Sequence, residues 1–239
     1  MQLVKKKENL LPILFIIGSI LFYIAIIFAR GNDCKFVYFF SIIFCFLFVL
    51  ISVILKKKDY LFIASMFFTL MADVFLVLVE PQNQEIGMLF FLFAQLIYFF
   101  ILVLNESKKL KIVHIITRIS LIIVVQIVVI LVLKDKADFL SLISMLYYTN
   151  LILNLVFSFF EIKTNFYLVV GFLLFLCCDT IIGLQAASGG YLAIEETSFI
   201  YKIIFTDFNL AWLFYFPSQV FLSLGATNCF RIKNVKKDS

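Results

Sequence analysis

FFTLMADVFLVL (residues 67–78) and LLFLCCDTIIGL (residues 173–184) each set one aspartate, Asp73 and Asp179, deep inside an apolar run. The rest of the chain decides which solvent those runs face. Of its 239 residues 64% are hydrophobic and 15% charged, and the mean hydropathy is +1.12, far from the balance of a soluble globular domain. A bilayer core roughly 30 Å thick needs about 20 apolar residues per helix. Eight stretches meet that length, at 11–29, 36–55, 60–79, 86–104, 112–133, 139–160, 166–184 and 208–226. The expectation is an all-α, polytopic membrane protein of eight transmembrane helices, with residues 1–239 forming a single transmembrane domain.

The formal charge of +5 does not point to nucleic acid, because the basic residues cluster beside spans rather than on a face of a folded domain. With the N-terminus cytoplasmic, the inside segments carry Lys5–Lys7, Lys56–Lys58, Lys108, Lys109, Lys111, Lys163, Arg231, Lys233, Lys236 and Lys237. The outside segments carry only Arg30, Lys35, Lys134, Lys136 and Lys202. This bias and the even number of spans predict that both termini are cytoplasmic. The opening KKKENLLPILF reads as the start of the first span, since no small-residue cleavage site follows the apolar run. Cys34, Cys45, Cys177, Cys178 and Cys229 lack metal-ligand spacing and read as packing residues.

The third and seventh spans run in the same direction, and their aspartates lie six and five residues before the expected span ends, about 8–9 Å below the outer edge. Aligning the two quoted runs matches Leu70 with Leu176, Asp73 with Asp179 and Leu78 with Leu184. The next spans each carry one glutamine, Gln95 and Gln219. Eight helices therefore read as four plus four, a parallel internal repeat about an axis along the membrane normal.

A carboxylate in mid-span costs about 2.5–3.5 kcal/mol on insertion scales, so an intramembrane acid is a functional candidate facing the bundle interior. Ser65, Thr69 and Asp73 recur at every fourth position, with Glu80 following at i+7, which makes a polar stripe on the third span. Gly171, Asp179 and Gly183 make a small-residue stripe on the seventh that lets a neighbour approach closely. Tyr147, Asn150, Asn154 and Ser158 share one face of the sixth. Arg118 lies one helical step from His114 at the cytoplasmic end of the fifth span, near the face opposite the two aspartates; of two roles, a lipid-phosphate ligand and a snorkelling side chain at the interface, the second is expected. His114 is the only histidine, so one chain cannot assemble a tri-histidine zinc site, and G-x-S-x-G and glycine-rich phosphate loops are absent. The candidate chemistry is that of carboxylates, with no metal or cofactor.

These landmarks resemble the YhhN-like family, the lysoplasmalogenases, a group of eight-helix membrane proteins. The resemblance covers most of the chain. It rests on MADVFLVL with Asp73; on GMLFFLFAQLIYF with Gly87 and Tyr98, where Gln95 takes the family's histidine position; on LFLCCDTIIGL with Asp179, where Cys178 replaces a serine; and on LFYFPSQVFLSLG with Tyr215 and Gln219. Ala72 stands where the family usually has glycine. The resemblance implies hydrolysis of the vinyl ether bond of a lysoplasmalogen to a fatty aldehyde and a glycerophospho-headgroup.

That chemistry needs one protonated carboxyl, one carboxylate and a water. Two acids sharing a buried site favour holding a single proton between them, and the oxocarbenium-like state parallels glycosidase chemistry. Asp73 and Asp179 are the expected pair. Gln95, Tyr98 and Gln219, about 14–18 Å from the outer edge by helix rise, are expected to orient water or headgroup, with Tyr147 and Asn150 also lining the substrate site. The expected partners are a vinyl-ether lysophospholipid and membrane lipids, with no nucleic acid, and the oligomeric state is open. A proton-coupled lipid or small-molecule transporter is the rival from another class, and a non-catalytic lipid-binding relative is a third. The expected location is a bacterial inner membrane, with the endoplasmic reticulum as the alternative.

Overall fold

The computed structural model describes residues 2–29, 34–56, 60–188, 195, 197–206 and 209–227. The flanking charges Arg30, Lys57, Lys58, Arg231, Lys233, Lys236 and Lys237, together with Cys229 and Phe208, lie outside the described residues. Among those described, every regular element is helical, as lipid requires of a chain that must satisfy each backbone N–H and C=O within its own segment.

The helices are α1 (Gln2–Phe28), α2 (Cys34–Lys56), α3 (Tyr60–Asp73), α4 (Gln84–Asn105), α5 (Lys108–Leu133), α6 (Phe139–Ser158), α7 (Ile162–Ser188), the short α8 (Phe199–Ile204) and α9 (Leu210–Thr227). Among the described residues, seven helices are long and apolar enough to cross a membrane, and α9 contributes a shorter apolar stretch, Leu210–Ala226. Several begin before the expected spans because polar caps extend them beyond the apolar run. Ser107 caps α5 by accepting from the Leu110 N–H at 3.4 Å; α6 begins where expected, at Phe139, with Asp138 and Ser141 capping each other reciprocally. Before α4, Asn83 accepts from the Ile86 N–H at 3.1 Å. In α7 the backbone departs from helical geometry at Asn165 (φ −136°, ψ 43°), so the first turn is set at an angle to the rest.

α2 packs on α3, α3 on α4, α4 on α6, α6 on α7, α7 on α9, and α9 returns to α2. Six helices thus close a ring. α1 lies outside it against α2 and α9, and α5 lies outside against α6. Burial agrees, since 11% of the apolar stretch of α5 and 22% of that of α1 are covered, against 44% in α2, α4 and α6. The order of neighbours in the second half repeats the first: α5 on α6, α6 on α7 and α7 on α9 follow α1 on α2, α2 on α3 and α3 on α4. This is the contact pattern a four-plus-four repeat requires, and it places α3 across the ring from α7 and α4 across from α9.

The tightest seam joins α7 to α9. Gly171 lets the helices close, because a Cβ there would meet the Leu222 backbone nitrogen at 3.1 Å and its Cγ at 2.7 Å. Gly183 does not continue that seam: no atom lies within 4 Å of where its Cβ would stand. The expected small-residue stripe on the seventh span is therefore a single close approach, because Gly183 lies on an exposed side of α7.

Candidate active site

Asp73 is the last residue of α3, and the chain goes on directly into a π-helical turn, Val74–Leu78. The Val79 N–H donates to the Val74 carbonyl at 3.0 Å, the i to i−5 spacing of that turn. The π turn breaks the helical periodicity after Asp73, so Glu80 does not extend the polar stripe. Its side chain is 69% exposed and pairs with Lys35 at the start of α2. Below Asp73 the stripe holds: Thr69 and Ser65 are fully buried and bond back to the carbonyls of Ser65 and Phe62, each at 3.0 Å.

Asp73 is 2% exposed. The Tyr215 hydroxyl, from α9, donates to its Oδ2 at 2.7 Å. Across the ring on α7, the half-buried Asp179 accepts a hydrogen bond from the Tyr147 hydroxyl of α6. Each acid thus has its own tyrosine donor from a different helix, and the two carboxyls lie within electrostatic reach of one another. α7 ends at Ser188 rather than near residue 184, so Asp179 lies further from its helix end than Asp73 does from Leu78. Their common level comes from packing rather than from distance to the chain ends.

An aromatic cluster links the two tyrosine donors. The Phe91 ring lies 5.6 Å from Tyr147, 5.7 Å from Phe175 and 6.2 Å from Tyr215. Phe175 is 5.4 Å from Tyr215, and Trp212 meets Tyr215 edge-on at 4.9 Å. Tyrosine brings an apolar body and a polar tip, which lets this cluster cover Asp73 fully and Asp179 in part while hydrogen-bonding both.

The remaining candidates divide into two groups. Gln219 is one turn from Tyr215 on α9 and fully buried; its Nε2 donates to the Ser218 hydroxyl at 3.2 Å, and its Oε1 has no partner. Gln95, one turn from Phe91 on α4, is fully buried, and its Nε2 has no partner. Tyr98 lies deeper still, with its hydroxyl directed to the Met66 sulfur at 3.6 Å and its ring edge-on to Phe172 at 5.2 Å. Asn150 is engaged on both sides: Nδ2 donates to the Leu146 carbonyl at 2.8 Å, and Oδ1 accepts from Arg118.

Arg118 does not snorkel to the interface. It is 4% exposed, donates Nη1 to Asn150 and Nη2 to Asn154 Oδ1 at 2.7 Å, and lies 4.3 Å from the Phe99 ring centroid. His114 Nε2 is 3.0 Å from Nη2. An arginine can only donate, so His114 accepts there and directs its Nδ1 proton to Glu106, 2.8 Å away. The physical reason is that α5 has little apolar contact with the ring, and this polar cluster is what docks it. The signal available in the sequence was the face Tyr147–Asn150–Asn154 on α6, two residues of which turn out to be Arg118's partners. Among the described residues, no group of three or more His, Cys, Asp and Glu side chains is gathered to hold a metal ion.

No curated protein and no solved structure matches the chain. The model of the YhhN family matches residues 35–226, a span that holds both aspartates, both of their tyrosine donors and the whole ring, and the chain belongs to the YhhN family.

Proposed function

We propose that this protein is a lysoplasmalogenase-like hydrolase in which Asp73 and Asp179 cleave the vinyl ether bond of a lysophospholipid. The observation that carries the reading is the meeting of a buried carboxyl, Asp73, and a half-buried one, Asp179, each hydrogen-bonded by its own tyrosine, beside one aromatic cluster.

One carboxyl gives its proton to the β-carbon of the vinyl ether, leaving an oxocarbenium ion at the α-carbon. The other carboxylate takes a proton from water as the water oxygen bonds to that carbon. A hemiacetal results, and its hydroxyl proton passes through the carboxyl pair to the ether oxygen as the carbon–oxygen bond breaks. Aldehyde and glycerol alcohol leave, and the pair again holds one proton. The overall change consumes one water. Tyr147 and Tyr215 hold the carboxyls in place, the aromatic walls exclude bulk water from the cation, and Gln95 and Gln219 present the unpartnered polar atoms nearest this cluster. Tyr98 and Asn150 support the site from further in, their own polar atoms being engaged within the fold.

The reading places residues 1–239 as one transmembrane domain of eight spans, with α9 as the eighth, both termini cytoplasmic, in a bacterial inner membrane. One observation favours a second reading, a proton-coupled transporter: the buried chain Glu106–His114–Arg118–Asn154–Gln95 continues the polar interior toward the other end of the ring. Aldehyde release from a vinyl-ether lysophospholipid by protein in detergent separates the two, since no gradient exists there. Release supports the hydrolase. Its absence across several headgroups, with lysolipid or proton flux in proteoliposomes, replaces it with the transporter.

A further inference from the structure

The Gln95 side chain is turned by a relay that starts at Arg118. A guanidinium has donors only, so Asn154 must offer Arg118 its Oδ1, and does so at 2.7 Å. The Asn154 Nδ2 is then left facing α4, where it donates to Gln95 Oε1 at 2.8 Å and to the Gln95 backbone carbonyl at 2.9 Å. Gln95 Oε1 being used, its Nε2 is the end presented to the interior, and that atom is buried without a partner. Amide orientation is ordinarily ambiguous because oxygen and nitrogen look alike. Here the fixed polarity of arginine removes the ambiguity two residues away.

A buried N–H without an acceptor is costly, and such a group in a native fold calls for an explanation. Gln95 is one turn from Phe91, whose ring touches both Tyr147 and Tyr215, the donors to the two aspartates. Across the ring, Gln219 is one turn from Tyr215 and carries the opposite deficiency, an unpartnered acceptor, Oε1. A donor on one wall and an acceptor on the other match a hydroxyl, which accepts from the first and donates to the second.

We propose that Arg118 is a positioning residue which, acting through Asn154, locks Gln95 with its amide N–H turned into the ring to hold a hydroxyl oxygen beneath the aspartates. The oxygen is that of the attacking water or of the glycerol backbone of the lysolipid. The use of this hydroxyl in turnover rests on the hydrolase reading, but the orientation of Gln95 does not.

Asn154→Asp tests the relay with almost no change of shape. A carboxylate keeps the Arg118 contact but cannot donate, so Gln95 must swing its NH2 toward the new carboxylate and show the ring an acceptor. Side-chain amide resonances of protein labelled with 15N-glutamine report this directly, with the Gln95 signal identified by its loss in Gln95→Glu. In Asn154→Asp the Gln95 amide protons move downfield as they bond to a carboxylate, and a signal that stays in place overturns the proposal. Aldehyde release should fall roughly 10- to 100-fold in Asn154→Asp and Gln95→Glu, the cost of one buried hydrogen bond lost, with melting temperature held near that of wild type. Unchanged turnover in a protein whose Gln95 has turned also overturns it. Affinity for the saturated-ether lysolipid identifies the oxygen: a loss parallel to turnover assigns it to the glycerol, and retained affinity with lost turnover assigns it to water. If wild type releases no aldehyde, the hydrolase reading fails while the resonance shift still decides the relay.

Discussion

Substituting alanine for each of three glycines tests the packing that brings α7, with Asp179, against α9, with Tyr215. At Gly171 the new Cβ would stand 2.7 Å from Leu222 Cγ, 2.8 Å from its Cδ2 and 3.1 Å from its backbone nitrogen. Leu222 is fully buried, so its side chain has no space to swing into, and the backbone contact yields only if the helices part. Overpacking of this kind costs about 1–3 kcal/mol, offset by up to ~1 kcal/mol of helix propensity gained over glycine. At Gly225 the clash is with Leu168 Cδ2 at 2.8 Å, while the nearest backbone atom is at 3.8 Å, an ordinary contact. At Gly183 nothing stands within 4 Å, so only the propensity gain remains. The expected order of stability is Gly183→Ala at or above wild type, then Gly225→Ala, then Gly171→Ala, whose melting temperature in detergent drops by a few degrees, at about 2–4 °C per kcal/mol for a chain of this size. Thermal unfolding followed by size-exclusion chromatography measures it. A Gly171→Ala protein as stable as Gly183→Ala would refute the seam.

Further outcomes follow from other contacts. Tyr147→Phe and Tyr215→Phe each remove the tyrosine donor from a site carboxyl and should lower aldehyde release about 10- to 100-fold, with little change in detergent-extracted yield. Arg118→Met strips the donor from the buried acceptors of Asn150, Asn154 and His114 together and, at about 1–3 kcal/mol for each buried group left unsatisfied, should lower the melting temperature. At the surface, the backbone N–H of Ser141, and then its hydroxyl, holds the Asp138 carboxyl below the usual range. The stabilisation is present above the unfolded pKa and lost as pH falls through the folded one, so the gap in melting temperature between wild type and Asp138→Ala should close on acidification; a gap that widens contradicts the cap.

The helices were legible because seven of the apolar runs are long enough to cross a bilayer and the eighth nearly so, and the two aspartates because a charge in such a run has no other plain explanation. Their neighbours were not. With 32 phenylalanines in the chain, nothing marks Phe91 and Phe175 as the pair that packs against both tyrosine donors. The π turn after Asp73 falls on VFLVL, whose composition is that of any apolar helix. Arg118 was misleading for a physical reason: a cation near the end of an apolar run looks the same whether it reaches for the interface or for partners inside. Asn150 and Asn154, which decide the matter, lie 32 and 36 residues further along. Gly183 failed similarly, since spacing gives a face but not the distance to the neighbour on it.

The most direct measurement is aldehyde release from a vinyl-ether lysophospholipid by detergent-purified protein, with wild type beside Asp73→Asn and Asp179→Asn and with EDTA present and absent. Turnover by wild type that survives the chelator and falls roughly 100-fold or more in both variants, each still folded, is the predicted result; loss of a positioned acid or base costs on that order. Turnover retained in either variant, or no aldehyde from wild type with any headgroup, contradicts the two-aspartate hydrolase.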